Sequence, residues 1–448
     1  MHGSLPQGDQ HRLHHPDERR LPARRSHVGR AVTLIRAGLA ATLLAFAAGS
    51  ATAQSTDEIV VGASATPAFT HILPAPGGNG SVNQLNVVAP WVMVDASTFN
   101  GQLRLTGMAN LEGLTIPDGV PSMGAWGEGF VDRRHPHTYA HEIMLSGQQH
   151  FAEGTVSGAS FAMGKGFAPF GSDDPMVRPF LSYPVNHHLA QILERLVAVA
   201  AVRAGPVIAE AGIFNGDEPT GPDDWPELSR FGDSWSARLT LLPLPGLEIQ
   251  GSYADVTSPE HEGGHGLDQT KWSTSARLER AISIGQAYGL VEWARTEEGD
   301  EVFAYHSVLA EAALHGRVLG LAYRFERTER PEEQRADEPF RTIRPLLDNS
   351  ILGQSRWSIH TVAVDAVLAD DWPGLRVAPF VEVSAGRVTS LTPASFNPIA
   401  AYGRDTFWSV TAGVRVGLGM RLHRMGRYGV ALPEMPAHDA SPHHEMMH

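Results

Sequence analysis

Between Phe407 and His423, apolar and polar residues alternate without a break. Trp408, Val410, Ala412, Val414, Val416, Leu418, Met420 and Leu422 fall on one face. Ser409, Thr411, Gly413, Arg415, Gly417, Gly419, Arg421 and His423 fall on the other. Successive side chains of a strand point to opposite sides, so the segment predicts a strand with one apolar and one polar face. It is longer than an ordinary strand of about 5–6 residues. It suits a tilted membrane-crossing strand, which needs about 9–11.

The alternation recurs at 235–241, 247–253, 271–279 and 375–384, and further strands are predicted near 86–95, 101–111, 139–149, 156–166, 196–203, 205–214, 283–295, 302–314, 315–327 and 356–369. Tight turns such as "LLPLPGLEI" and "DDWPGLRV" alternate with long polar connections such as "FNGDEPTGPDDWPELSRFGDS" and 327–355. Short turns at one end, long loops at the other and Trp or Tyr near strand ends form the outer-membrane barrel pattern. The expected fold is all-β: a closed antiparallel transmembrane β-barrel of about 14–16 strands over 85–430. A secreted soluble β enzyme is the disfavoured alternative, because sandwich strands are shorter and their outward faces are polar.

Three segments lack the alternation. Residues 54–84 predict a flexible periplasmic lead-in. Residues 167–195 are Pro-rich and then helix-like from Asn186 to Arg195, and are expected to fold inward. Residues 431–448 predict a disordered His/Met-rich tail. Ahead of them, Arg30 and Arg36, the apolar run Ala37–Ala48 and Ala51-Thr-Ala53 have the order of a secretory signal peptide cleaved after Ala53. The polar stretch 1–29 reads as upstream sequence, with the true start near Val28 or Val32. The 448-residue chain carries a formal charge of -14 and no cysteine, which argues against a nucleic-acid partner and against reliance on disulfides.

The densest chemistry lies in "DRRHPHTYAHE". His135 and His137 flank Pro136, and in an extended backbone their rings share a face. Imidazole is the commonest metal ligand, but a site needs three or four donors. Glu142, His141, His187 and His188 are candidates to complete it, with Asp132 and Arg133 behind them. The competing reading is a hydrogen-bonded polar cluster in the barrel lumen. In the tail, His443, His444 and Met446 add imidazole and thioether, a set that favours copper. No cofactor is demanded; copper or zinc is the ion these donors would take. "HEGGHG" has zincin spacing at His261, Glu262 and His265, but its glycines oppose the helix that motif needs. "SGAS" lacks the setting of a nucleophile elbow, so no catalytic residues are expected. Arg238, Glu248, Lys271, Arg277, Glu279, Arg376, Glu382 and Arg415 fall on polar strand faces and are the predicted pore lining, where charged rings would set ion preference.

"LRLTGMANLEGLTI", "VDRRHPHTYAHEIML", "RPFLSYPVNHH", "FNGDEP" and "DSWSARLTLLPLPGLEIQGSYADVTSPE" resemble blocks of a poorly characterised group of porin-like bacterial outer-membrane proteins, some found beside copper or heavy-metal resistance genes. The likeness covers about residues 100–260. Asp132, Arg133, His135, Pro136, His137, Glu142, His187 and His188 match its polar run and paired histidines. Thr138 stands where an acid is expected. The resemblance implies an outer-membrane barrel. The leading functional expectation for such a barrel is a porin-like channel, with lipid, lipopolysaccharide and small polar solutes or ions as partners and a homotrimer as one assembly open to it. A metal-binding or metal-resistance role on the same barrel is the alternative function.

Overall fold

The computed structural model describes residues 58–73, 81–115, 137–172, 174–219, 222–259, 264–299, 302–333, 351–370, 374–419 and 424–432. Among the described residues, seventeen strands pair in a single sheet. They are β1 (Glu58–Leu73), β2 (Val82–Thr98), β3 (Leu103–Asn110), β4 (Ala140–His150), β5 (Gly158–Gly166), β6 (Arg195–Ala204), β7 (Val207–Phe214), β8 (Ser234–Leu244), β9 (Leu247–Val256), β10 (Gln269–Ile282), β11 (Gly285–Glu298), β12 (Phe303–His315), β13 (Leu319–Glu333), β14 (Ile351–Ala366), β15 (Ala369–Asp370), β16 (Leu375–Ser390) and β17 (Thr406–Gly419). Each long strand pairs antiparallel with its sequence neighbour. The two-residue β15 only extends the turn between β14 and β16, which pair directly. β1 pairs with both β2 and β17, so sixteen strands close into a barrel with no free edge.

The two faces of the wall differ as the alternation predicts. Along β17, Trp408 and Leu418 face out while Ser409 and Thr411 are buried within. Leu239, Val291, Val308, Leu321, Val362 and Val381 also lie exposed on the outer face. Such a continuous apolar surface suits hydrocarbon rather than water. At the long-loop end, Trp235, Tyr253 and Trp272 stack across three neighbouring strands with ring centroids 5.3 and 5.6 Å apart, where a membrane interface favours aromatic rings.

The lead-in expectation is corrected. Residues 58–73 form β1, the strand that closes the ring. Gly62, Ala63, Ser64 and Ala65 are too small to mark a face, and a register shift between Ser64 and Thr66 breaks the parity. Closure by β2 and β17 stabilises a strand that local pattern does not announce.

The lumen is filled from both ends. After β5, the inserted segment 167–194 runs through it before joining β6. Its backbone polar groups are met by inward wall residues. Glu382 accepts from the Leu181 and Ser182 N–H groups at 2.8 and 3.1 Å, and Glu326 accepts from the Val185 N–H at 2.7 Å. Arg415 donates to the Pro179 carbonyl at 3.0 Å. Arg178 reaches back to Glu292 and Glu311. The helix-like stretch is also corrected: only His187–Ala190 is helical, and Gln191 is already extended because the chain must line up with β6.

The second filler is residues 424–432, which follow the last strand and fold into the barrel. Arg427 is fully buried, donating to Thr240 at 2.9 Å and pairing with Glu210 and Glu248. The Tyr428 hydroxyl donates to Glu142 at 2.8 Å and accepts from the Phe167 N–H at 3.0 Å. Ala431 and Leu432, expected at the start of the tail, therefore belong to this inward segment, whose last turn is Gly429–Ala431. Phe170, Ile192, Phe214 and Tyr428 form one apolar cluster inside the lumen. Residues 1–57 and 433–448 lie outside the described residues, and with them the leader and the rest of the tail.

Candidate functional site

The charged groups predicted to line a pore are placed on or near the inner face, and four of them hold the fillers. Arg238 makes a bidentate pair with Glu210, both bonds 2.7 Å, and donates to the Gly171 and Gly426 carbonyls. Glu248 pairs with Arg424 at 2.8 Å and with Arg427. Glu382 and Arg415 grip the inserted segment as described. Lys271 donates to Gln269 at 3.0 Å. Arg277 pairs with Glu279 at 2.9 Å, and Glu279 is exposed at the rim. Arg376 lies on the inner face of β16.

The histidine run yields a different constellation from the one expected. Asp132, Arg133 and His135 lie outside the described residues, as do His443, His444 and Met446 of the tail. His261 and Glu262 fall there as well, and His265 is exposed on a non-helical loop. The described residues that converge are His137, His141 and Glu194. Their donor atoms form a small triangle: His137 Nδ1 to His141 Nδ1 is 3.4 Å, His137 Nδ1 to Glu194 Oε1 is 3.1 Å, and His141 Nδ1 to Glu194 Oε1 is 2.8 Å. All three side chains are buried.

Two backbone irregularities build this triangle. The register of β3 against β4 shifts so that Met108 faces Glu142 and Ala109 faces Ala140. His141 is the extra residue of a β-bulge. Strict alternation would send it outward with the exposed Ile143 and Leu145; the bulge turns it in. Glu194 has φ +54°, the left-handed region, which costs a non-glycine residue about 1–2 kcal/mol. That twist, at the junction of the inserted segment with β6, aims its carboxylate at the imidazoles.

The remaining contacts orient the carboxylate. Thr138 donates to Glu194 Oε2 from its N–H at 2.9 Å and from its hydroxyl at 2.5 Å. Lys165 donates to the Thr138 hydroxyl, and its ammonium lies 3.7 Å from the same Oε2. Thr138 thus stands where an acid was expected and holds an acid brought in from elsewhere. Burial opposes a charge on His137, but the hydrogen bond to Glu194 and the charges of Glu112, Glu194 and Asp174 outweigh it and raise His137 to about 9. Burial alone would lift Glu194; the His141 imidazole and the hydrogen bonds from both histidines hold it well below the usual carboxylate range. Burial pushes Glu112 and Asp174 up. Buried acidic groups are therefore crowded around the His137 imidazole.

His187 stacks on His137 with centroids 6.1 Å apart, and Tyr183 meets both rings edge-on. Neither belongs to the triangle. Glu142 is buried nearby but is engaged by Tyr428. Nothing is described of the His188 side chain. Glu194 is the member that sequence reading misses. It sits in "QILERL", where no neighbouring histidine or spacing marks it.

No family model matches the chain, and no curated protein matches it. Solved structures do. An anion-selective porin from Comamonas acidovorans shares 10% identity, covering 82% of this chain and 100% of its own, with a TM-score of 0.47. A loop-deletion mutant of OmpT, an outer membrane protein of Vibrio cholerae, shares 13% identity over 81% of this chain and 99% of its own, TM-score 0.47. Salmonella typhi OmpF, in complex with daunomycin, shares 11% identity over 80% of this chain and 97% of its own, TM-score 0.43.

Proposed function

We propose that this chain is a bacterial outer-membrane, porin-like channel whose path for small polar solutes or ions is narrowed by the two segments inside it. The observation that carries this reading is the closed ring of sixteen strands with an apolar outer face and an inner face of paired charges. A closed barrel leaves no backbone edge for lipid to meet, and lipid and lipopolysaccharide are the partners its outer surface fits. Charge-lined walls admit hydrated ions, and the inserted segment sets the size limit. The long loop after β7 carries Asp217, Glu218, Asp223, Asp224 and Glu227, which would enrich cations at that mouth. The test is single-channel recording on detergent-purified protein in planar bilayers. Small, cation-preferring steps are expected, and they should enlarge in Glu382→Gln, which loosens the segment's grip at Leu181 and Ser182. A folded barrel that stays silent in both forms overturns the reading.

A further inference from the structure

We propose that His137 Nδ1, His141 Nδ1 and Glu194 Oε1 form a site for a divalent first-row transition-metal ion, which clips the end of the inserted segment to the barrel wall. Three separate observations carry this beyond the channel reading. The first is size. An ion with bonds of about 2.0–2.1 Å to nitrogen and oxygen in tetrahedral geometry sets its ligand atoms roughly 3.3 Å apart. The three separations here are 3.4, 3.1 and 2.8 Å. Small adjustments of three side chains would seat the ion with a fourth position open.

The second is construction. The triangle exists only because a bulge turns His141 inward and because Glu194 adopts a left-handed backbone. Irregularities of this kind concentrate where a side chain must be aimed. The ligands also come from both partners of the clip: two from the entrance to β4, one from the end of the inserted segment.

The third is the surrounding chemistry. Thr138 takes both of its hydrogen bonds to Glu194 on Oε2, leaving Oε1 directed at the imidazoles, as the outer contacts of a metal-binding carboxylate do. Glu112 and Asp174 are buried close enough to act on His137, and Lys165 is the one opposing ammonium described at Glu194. Two imidazoles and a carboxylate suit zinc, copper, nickel or iron rather than calcium or magnesium.

The test uses the full chain, with His438, His443, His444 and His448 changed to alanine so that tail imidazoles do not contribute. Protein folded in detergent is equilibrated with Zn²⁺, dialysed and assayed by elemental mass spectrometry. One zinc per chain is expected, falling to background in His141→Gln and in Glu194→Gln, with folding verified by heat-dependent gel mobility. No zinc above background in the parent, or full retention in both folded variants, overturns the site. In that case Glu194 simply accepts two imidazole hydrogen bonds. If the variants do not fold, zinc-edge X-ray absorption on the parent decides. Two imidazoles in the first shell support the site, and a shell without imidazole overturns it.

Discussion

At the scale of single residues, the pocket turns on atoms that parity does not place. His141 belongs by alternation to the lipid face, and only the shift of β4 against β3 brings it inside. Glu194 is an unremarkable acid until its left-handed backbone aims it. His137 and His141 were legible because imidazoles crowded into one short run draw attention in any sequence, although the bulge that turns His141 inward was not; Glu194 was missed, because a left-handed residue leaves no periodic mark. Tyr428 offers a direct check of the contacts beneath the pocket. It accepts from Phe167 and donates to Glu142, both buried. Tyr428→Phe should lower unfolding stability by about 1–3 kcal/mol, the cost of stranding buried polar groups. Urea titration in detergent would read it, and an unchanged midpoint would mean those bonds contribute nothing. Gly171 tests the inserted segment from the backbone side. Its φ is +73°, and an added Cβ would lie 1.8 Å from the Ala190 carbonyl oxygen. Gly171→Ala should loosen residues 167–194 while leaving the ring intact. Limited proteolysis should then cut within the segment in the variant and not in the parent.

At the scale of elements, what was legible follows from how strongly each element marks its two faces. β17 declares itself because large apolar residues alternate with polar ones, whereas β1 does not because the small residues Gly62, Ala63, Ser64 and Ala65 interrupt its pattern. The inward fold of 167–194 was expected from its proline content and length. The inward fold of 424–432 was not: its first residues read as barrel and its last two as tail, because a short segment following the last strand carries no local mark of where it goes. Its anchoring is long-range: Arg424 and Arg427 meet Glu248 from about 180 residues upstream, and such pairing has no local signature. Among the described residues, no ring pairing involves any after Gly419. Deleting 424–448 should therefore leave a barrel with heat-dependent gel mobility. It should also widen the path, because Glu248 would lose its two arginines and the lumen the Tyr428 side chain. Larger conductance steps in planar bilayers are the expected result. Failure of the truncated chain to form a barrel would show that the segment is needed for folding rather than for narrowing.

At the scale of the whole molecule, the distribution of apolar surface decides what solvent the barrel was selected for. A water-soluble β protein hides its large apolar side chains; here Leu239, Val291, Leu321 and Val381 are exposed around the ring, while Arg238, Glu292, Arg324 and Glu382 are buried inside it. The arrangement is inverted relative to a soluble fold, and one substitution distinguishes the two environments. Val291 lies midway along β11 on the outer face, next to the inward Glu292. In hydrocarbon near the bilayer midplane, Val291→Arg should cost about 2–4 kcal/mol. In water, an exposed Val replaced by Arg would change stability by no more than about 0.5 kcal/mol. Reversible urea unfolding in lipid vesicles, followed by tryptophan fluorescence, measures the difference. A midpoint that drops sharply in vesicles places the outer face in lipid. An unchanged midpoint would mean that this face never meets the membrane, and the channel reading would fall with it.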